Sequence, residues 1–504
     1  MDVFQHILLG FQVALSVQNL FFCFVGVTIG TLIGVLPGIG PVTGVAILIP
    51  ITFGMHATTA IITMAGVYYG AMYGGSTTSI LINVPGESAS VMTTLDGYQM
   101  ARQGRAGPAL GMAACSSFIA GTFAVIMLTL IASPLADYAL SFGPPEYFAL
   151  TFMGLTLVTS LSGESMLKGI VSGVFGLILA CVGIDAVSGE ERFTFGNIYL
   201  LDGFGFIGVA VGLFAVAEVL VNLEEPLKQV FVKTELKLRT LFPNRQDWRD
   251  CLGPIGRSAI LGFFVGVLPG AGATIASFLS YATEKKLSKH PEKFGTGIIE
   301  GVAAPEGANN AAAGGAMVPL LTLGIPGSGT TAVLLGALLI HGLRPGPLLF
   351  QSSPDFVWGV IASMYIGNVM LLILNLPLVG LFASMLRVPY RILMPLIITI
   401  SAVGVFATEN NIFDMWVMFG FGIVGYLMRK LDFPPAPAVL ALVLGPLLER
   451  SLRQSLTISH GDLSIFFTRP IAAVLTIGAL VSLFSPVFRA VWESTRTPGK
   501  EARP

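Results

Sequence analysis

Long apolar runs joined by short polar stretches fill most of the chain, and two of these runs are cut in the middle. Gly30–Gly44 reads GTLIGVLPGIGPVTG and Gly262–Ala276 reads GFFVGVLPGAGATIA, each interrupted by Leu-Pro-Gly-x-Gly. Proline removes a backbone donor and glycine relaxes the chain, so each cut ends one helix and begins another. The arms on either side fall short of the ~20 residues a full crossing needs, which predicts re-entrant hairpins rather than pairs of spans. Two further runs, 57–84 and 297–342, are interrupted at Asn83-Val84-Pro85-Gly86-Glu87-Ser88 and Gly324-Ile325-Pro326-Gly327-Ser328. Residues 4–17, with Gln5, His6 and Gln12, are too short and polar for a span and predict an interfacial helix, with Asn19 as cap of the next helix at 20–36. Spans are expected near 107–133, 147–163, 165–184, 198–222, 356–386, 390–407, 411–428, 435–448 and 470–490. The longest hydrophilic stretch, 223–257, reads as a linker between two halves.

The halves repeat each other. Pro37 and Pro269 lie 232 residues apart, as do Gly30 and Gly262, Gly34 and Gly266, and Gly40 and Gly272. Gly74-Gly75 pairs with Gly314-Gly315 at 240, Pro85-Gly86 with Pro326-Gly327 at 241, and Arg105–Pro108 with Arg344–Pro347 at 239. Small drift over several landmarks is the mark of a duplicated unit. Charge sets the orientation of the copies. The ends of the second hairpin are rich in Lys and Arg and are placed in the cytoplasm, whereas the ends of the first, 16–19 and 51–57, carry no basic residue. Threading the spans from there leaves only Arg192, Arg344, Arg450, Arg453 and Arg469 outside, so 22 of 27 basic residues fall inside, the C-terminal Arg496, Lys500 and Arg503 among them. The expected fold is an all-α polytopic membrane protein of two inverted structural repeats, each with a re-entrant helical hairpin and a discontinuous transmembrane helix: 1–222, the cytoplasmic linker 223–257, and 258–504 with an extra C-terminal span.

Composition agrees with a bilayer setting. The 504 residues are 54% hydrophobic and 11% charged, with mean hydropathy +0.81, against about a quarter charged in soluble domains. A net charge of −1 gives no basic field for nucleic acid. Cys23, Cys115, Cys181 and Cys251 form no C-x-x-C pair and read as small buried residues, not as a disulfide framework or metal site. No Lys or Arg precedes Arg102, so the first segment lacks a charged n-region and is expected to be retained.

A broken helix at matching places in two halves is the sequence pointer to a secondary transporter's binding site. The residues at the four breaks are small and hydroxylated. Ser76, Thr77, Thr78, Ser88, Ser328, Thr330 and Thr331, with the amides Asn309 and Asn310, are candidates for substrate binding. Pro37, Gly38, Gly40, Asn83, Pro269, Gly270, Gly272 and Gly327 are candidates for offering unwound backbone to a cation, a hard ion that takes oxygen ligands. Exposed N–H groups at half-helix N-termini suit a carboxylate, and no basic side chain is expected near the breaks. Packing is the competing reading for each single Ser or Thr, because small residues in membrane helices let backbones approach. Glu87 and Glu306 are either functional intramembrane acids or helix caps. Glu218 is expected to snorkel to the interface. No P-loop, His-Glu-x-x-His or complete nucleophile-elbow motif occurs, so enzyme readings are disfavoured, with an intramembrane hydrolase kept as a third and weaker alternative. A membrane scaffold without transport of its own is the alternative from another class.

With these motifs the chain resembles the large membrane subunit of tripartite tricarboxylate transporters, the TctA family. The resemblance covers nearly the whole chain, and its carriers are Gly34–Pro41, Tyr73–Ser76, Asn83–Glu87, Leu95-Asp96-Gly97-Tyr98, Gly262–Gly272, Ala304–Asn310 and Gly324–Ser328. The resemblance implies cation-coupled import, with Na⁺ as the expected ion, of citrate-like or other organic carboxylates across a bacterial inner membrane. It also implies two partners, a small membrane subunit of about four spans and a periplasmic solute-binding protein that delivers substrate. No cofactor is expected. Elevator-type motion is implied by distant kinship with hairpin-containing anion transporters.

Overall fold

The computed structural model describes residues 3–36, 39–161, 165–185, 188–224, 241–270, 272–385 and 390–496. The expected tip residues Pro37 and Gly38, most of the linker and the tail residues Lys500 and Arg503 lie outside these.

The chain is helical almost throughout. In the first half run α1 (Val3–Ala14), α2 (Val17–Val35), α3 (Pro41–Thr52), α4 (Ala57–Ile82), α5 (Val91–Arg102), α6 (Ala106–Ala139), α7 (Pro144–Leu161) and α8 (Met166–Ala180). A two-residue ribbon, β1 (Gly183–Ile184) with β2 (Glu191–Arg192), leads to α9 (Phe206–Glu224), which contains a π turn at Gly212–Val216. The second half holds α10 (Arg245–Val267), α11 (Gly272–Leu287), α12 (Glu300–Leu323), α13 (Gly329–Ile340), α14 (Pro347–Ser352), α15 (Pro354–Asn375), α16 (Val379–Met385), α17 (Tyr390–Glu409), α18 (Ile412–Lys430), α19 (Pro435–Ile458), α20 (Ile465–Thr468) and α21 (Pro470–Arg496). Among the described residues, seven helices are long and apolar enough to cross a membrane: α2, α6, α9, α10, α15, α18 and α19. The fold is thus an all-helical, multi-pass membrane architecture.

Two boundaries differ from the sequence reading. Ser16, not Asn19, caps α2: its hydroxyl accepts the Asn19 amide at 3.4 Å, while the Asn19 side chain donates to the Val13 carbonyl and accepts from Thr59. Helix α10 begins inside the hydrophilic stretch, at Arg245, because Asn244 and Asp247 form a reciprocal capping box and Arg105 pairs with Asp247 at 2.6 Å.

α4 and α12 carry no one-sided apolar stripe, and both are enclosed along nearly their whole length. Each is gripped by the arm that precedes the Leu-Pro-Gly turn of its own half. On α2, glycines four apart lie on one face. A Cβ at Gly30 or Gly34 would sit 2.6 and 2.3 Å from the carbonyl oxygens of Val67 and Ala71. On α10, a Cβ at Gly262 or Gly266 would meet the carbonyls of Ala308 and Ala312 at 2.4 and 2.3 Å. Backbone-to-backbone contact of this kind is how membrane helices pack without a hydrophobic drive between them. The contacts keep one register: arms 232 apart meet partners 241 apart. Gly74 against Thr31 accordingly matches Gly315 against Phe263, one residue on from the pairing of glycine doublets that the sequence suggests.

Asp96 ties the halves together. Its fully buried carboxylate accepts from the Tyr281 hydroxyl at 2.8 Å and from the backbone amides of Gly295, Gly297 and Ile298 at 2.8–3.0 Å. This gives the Leu95–Tyr98 motif a packing role.

Candidate functional site

The site is built from the ends of broken helices. α4 stops at Asn83 in the left-handed region (φ 58°) and α12 stops at Gly324 (φ 70°), residue types that tolerate that conformation. Pro-Gly follows in each case. A Cβ on Gly86 would lie 2.0 Å from the Gly34 carbonyl oxygen, and one on Gly327 would lie 2.7 Å from that of Gly266. Only glycine lets the chain cross there. The helix then restarts under a capping box in both halves. Glu87 accepts the Ala89 amide at 2.5 Å with Ser90 as its reciprocal partner, and Ser328 accepts the Thr331 amide at 3.3 Å while the Ser328 amide donates to Thr331 Oγ1 at 2.8 Å.

The described residues of the Leu-Pro-Gly segments and their flanks come to these restarts. Gly270, at φ +84°, donates its amide to the Gly327 carbonyl at 3.0 Å. Across the halves, the hydroxyls of Ser88 and Thr274 are 2.8 Å apart. In the matching place, a Cβ on Gly329 would touch Val42 at 3.5 Å. Each half's break therefore faces the turn of the other half.

Between them lies a cavity of about 540 Å³. Its wall includes Gly40, Gly270, Gly272 and Thr274 from the turns and Glu87, Ser88, Ser328 and Thr330 from the restarts, with Tyr68 and Thr43 beside them. The Tyr68 hydroxyl lies 3.3 Å from Ser328 Oγ. The lining also includes Glu218 and Arg429, which form an ion pair. This corrects two expectations. Glu218 does not snorkel outward; it is buried at 6% exposure, and Arg429 comes to it because α9 and α18 pack closely along the π turn. A basic side chain does stand beside the breaks. Arg429 was missed because, at the end of a span, it reads as an interfacial anchor; the π turn that brings the helices together leaves no mark in the sequence apart from Gly212, Gly422 and Gly425.

The other candidate positions lie elsewhere. Ser76 donates to Glu306 at 2.5 Å, Thr78 to the Val35 carbonyl at 3.0 Å, Asn309 to Glu306 at 3.3 Å, and Asn310 to Asn309 Oδ1 at 2.5 Å. Ser76 and Thr77 border a void of about 10 Å³, room for at most one water. Thr331 serves the capping box. Asn83, Gly327 and Pro269 shape the backbone around the cavity without lining it. Glu306 is fully buried and takes Thr93 at 2.5 Å as well, so it binds α4, α5 and α12 into one hydrogen-bonded knot. Among the described residues, no group of three His, Cys, Asp or Glu side chains is placed to hold a metal ion.

A multi-pass helical protein with paired broken helices around an internal cavity belongs to the class of membrane transport subunits, and the comparisons with known proteins agree. Residues 20–440 match the family model described as the tripartite tricarboxylate transporter TctA family. The chain is a member of that family, and so a TctA-type membrane subunit. It is 52% identical over 476 residues, 94% of each chain, to an uncharacterized 52.8 kDa protein in the TAR-I ttuC' 3' region of Agrobacterium vitis. It is 51% identical over 214 residues, 42% of this chain and 88% of the relative, to an uncharacterized protein in the TAR-II ttuC' 3' region of the same organism. No solved structure matches.

Proposed function

We propose that this subunit is the translocating component of a secondary active importer of tricarboxylates or related organic carboxylates, driven by a cation gradient, Na⁺ in the first place. The observation that carries the reading is the convergence of Gly40 and Gly270, from the two Leu-Pro-Gly-x-Gly segments, and of two capped restarts on a single cavity. A substrate carboxylate is held there by Ser88, Ser328 and Thr330, with Gly40, Gly270 and Gly272 as the backbone that closes on it. Arg429 supplies the positive charge. The halves are inverted repeats, and the turns are tips of re-entrant hairpins entering from opposite leaflets. The grouping of charged side chains supports this. Arg192 and Arg453, assigned to the outside, share one cluster with Asp185 and Glu449, whereas Arg105, Arg257, Lys289 and Lys293, assigned to the cytoplasm, border another cleft. On this reading the protein sits in a bacterial inner membrane with its C-terminus in the cytoplasm. Its partners are a small membrane subunit of about four spans and a periplasmic binding protein that delivers the anion.

Reconstitution tests it. The purified subunit, with its partners, is expected to accumulate labelled citrate or a related carboxylate in liposomes under an imposed cation gradient. Uptake that never exceeds empty liposomes, for any carboxylate that the binding protein retains, would reduce the subunit to a scaffold.

A further inference from the structure

The duplicated unit supplies its own control for Glu87. Glu87 and Ser328 occupy corresponding places, each directly after Pro-Gly and 241 residues apart. Both have extended backbones, with φ/ψ of −145°/167° and −155°/170°, and both close a capping box with a hydroxyl residue three positions on. In the second half a neutral serine does this work. The cap therefore does not need a carboxylate, and Glu87 brings a charge that its local structure leaves unexplained.

That charge has no counterpart. The carboxylate takes the Ala89 amide through Oε2 and, in the capping box, the Ser90 amide; Oε1 is buried with no hydrogen-bond partner, in a residue only 7% exposed on the cavity wall. The titratable and charged groups around it are engaged with other partners. From α4, the Tyr68 hydroxyl is directed to Ser328. From α12, Glu306 takes Ser76, Thr93 and Asn309. From α18, Arg429 is paired with Glu218 of α9. From α11, the neutral Thr274 meets Ser88. Gly75 leaves the room in which Oε1 sits: a Cβ there would be 3.1 Å from Oε1 and 3.2 Å from Ser90 Oγ. An ionised carboxylate without a partner is costly in such surroundings.

We infer that Glu87 Oε1 is the seat of the coupling cation, a proton or a sodium ion, bound in the same cavity as the anionic substrate. A proton needs Oε1 alone; sodium takes further oxygens, for which Ser90 Oγ and a substrate carboxylate are at hand. Cation and anion in one cavity each lower the cost of the other, which makes their affinities reciprocally linked. The inference rests on the transport reading above, and its test separates the two.

The subunit and its partners are reconstituted in liposomes as wild type, Glu87→Ser and Glu87→Asp. Carboxylate uptake is measured under an inward Na⁺ gradient, under an inward proton gradient, and as counterflow with no cation gradient. Wild type is expected to respond to one gradient, which identifies the cation. Glu87→Ser, whose cap is preserved as at Ser328, is expected to lose roughly ten-fold or more of that gradient-driven uptake while counterflow at saturating carboxylate persists, and Glu87→Asp to restore part of the driven uptake. Wild-type accumulation by Glu87→Ser overturns the inference. Loss of both modes in both variants overturns it too, since the shape of glutamate and not its charge would then be what matters. Failure of the wild-type complex to move any carboxylate defeats the transport reading instead.

Discussion

Ser328→Leu is expected to abolish carboxylate uptake while the protein still inserts in the membrane at normal levels. Loss of the hydroxyl removes one helix cap, a change of about 1 kcal/mol that a protein of this size tolerates. The larger effect is steric and local. Ser328 Oγ lies between Tyr68 and Thr331 at the wall of the cavity, and an isobutyl group there fills the space a substrate carboxylate takes. Misplacing a bound group by even an ångström costs on the order of 100-fold, so uptake should fall by at least that much. Gly270→Leu should behave alike for a different reason: Gly270 holds φ +84° and donates to Gly327, a conformation that leucine strains. Membrane yield and binding-protein-independent folding, read by size-exclusion profile, separate this from misfolding. Uptake at wild-type levels in either variant removes that segment from the site.

Replacing Arg429 by alanine is expected to be worse than replacing both Arg429 and Glu218. The single change strands Glu218, whose side chain is 7% exposed, without its partner. Breaking a buried pair costs ~3–5 kcal/mol, and the 30% exposure of the Arg429 side chain brings the expected loss to about 2–3 kcal/mol. Melting temperature in detergent should drop by a few degrees for Arg429→Ala and recover in the double variant. Uptake should not recover, because the positive charge facing the anion is gone. Glu218→Gln tests the same pair from the other side. It frees Arg429 from a competing carboxylate, so KM for a carboxylate substrate should fall several-fold. A double variant that transports normally would make the pair a purely structural one.

Much of this site was legible because its backbone demands specific residues. Pro-Gly at 85–86 and 326–327, and the Leu-Pro-Gly turns, are visible in any reading that asks where helices must stop, and the duplication shows in the spacing of those residues alone. The capped restarts were half legible: Ser328 with Thr331 is a recognisable box, whereas Glu87 with Ser90 inverts the usual order of acid and hydroxyl. Side-chain destinations were not legible. Ser76 and Thr78 precede their break by two turns or less, and Asn309 and Asn310 share a helix with theirs, but the pitch of α4 and α12 turns Ser76 and Asn309 toward Glu306, Thr78 toward Val35 and Asn310 back along its own helix, away from the cavity. The Glu218–Arg429 pair joins residues 211 positions apart through a π turn, and no local pattern announces such a meeting. The start of α10 within the hydrophilic stretch was hidden because its first turns are polar and gain their stability from a cap and an ion pair instead of apolar burial.

The meeting of the two halves at one substrate cavity is tested most directly by cysteines at Ser88 and Thr274, whose hydroxyl oxygens are 2.8 Å apart, introduced with the four native cysteines replaced by serine. In native membranes the pair should cross-link under mild oxidation, block uptake until reduced, and link more slowly when a transported carboxylate is present at saturation. A pair that does not link, or one that links at the same rate with and without substrate and leaves uptake intact, would contradict it.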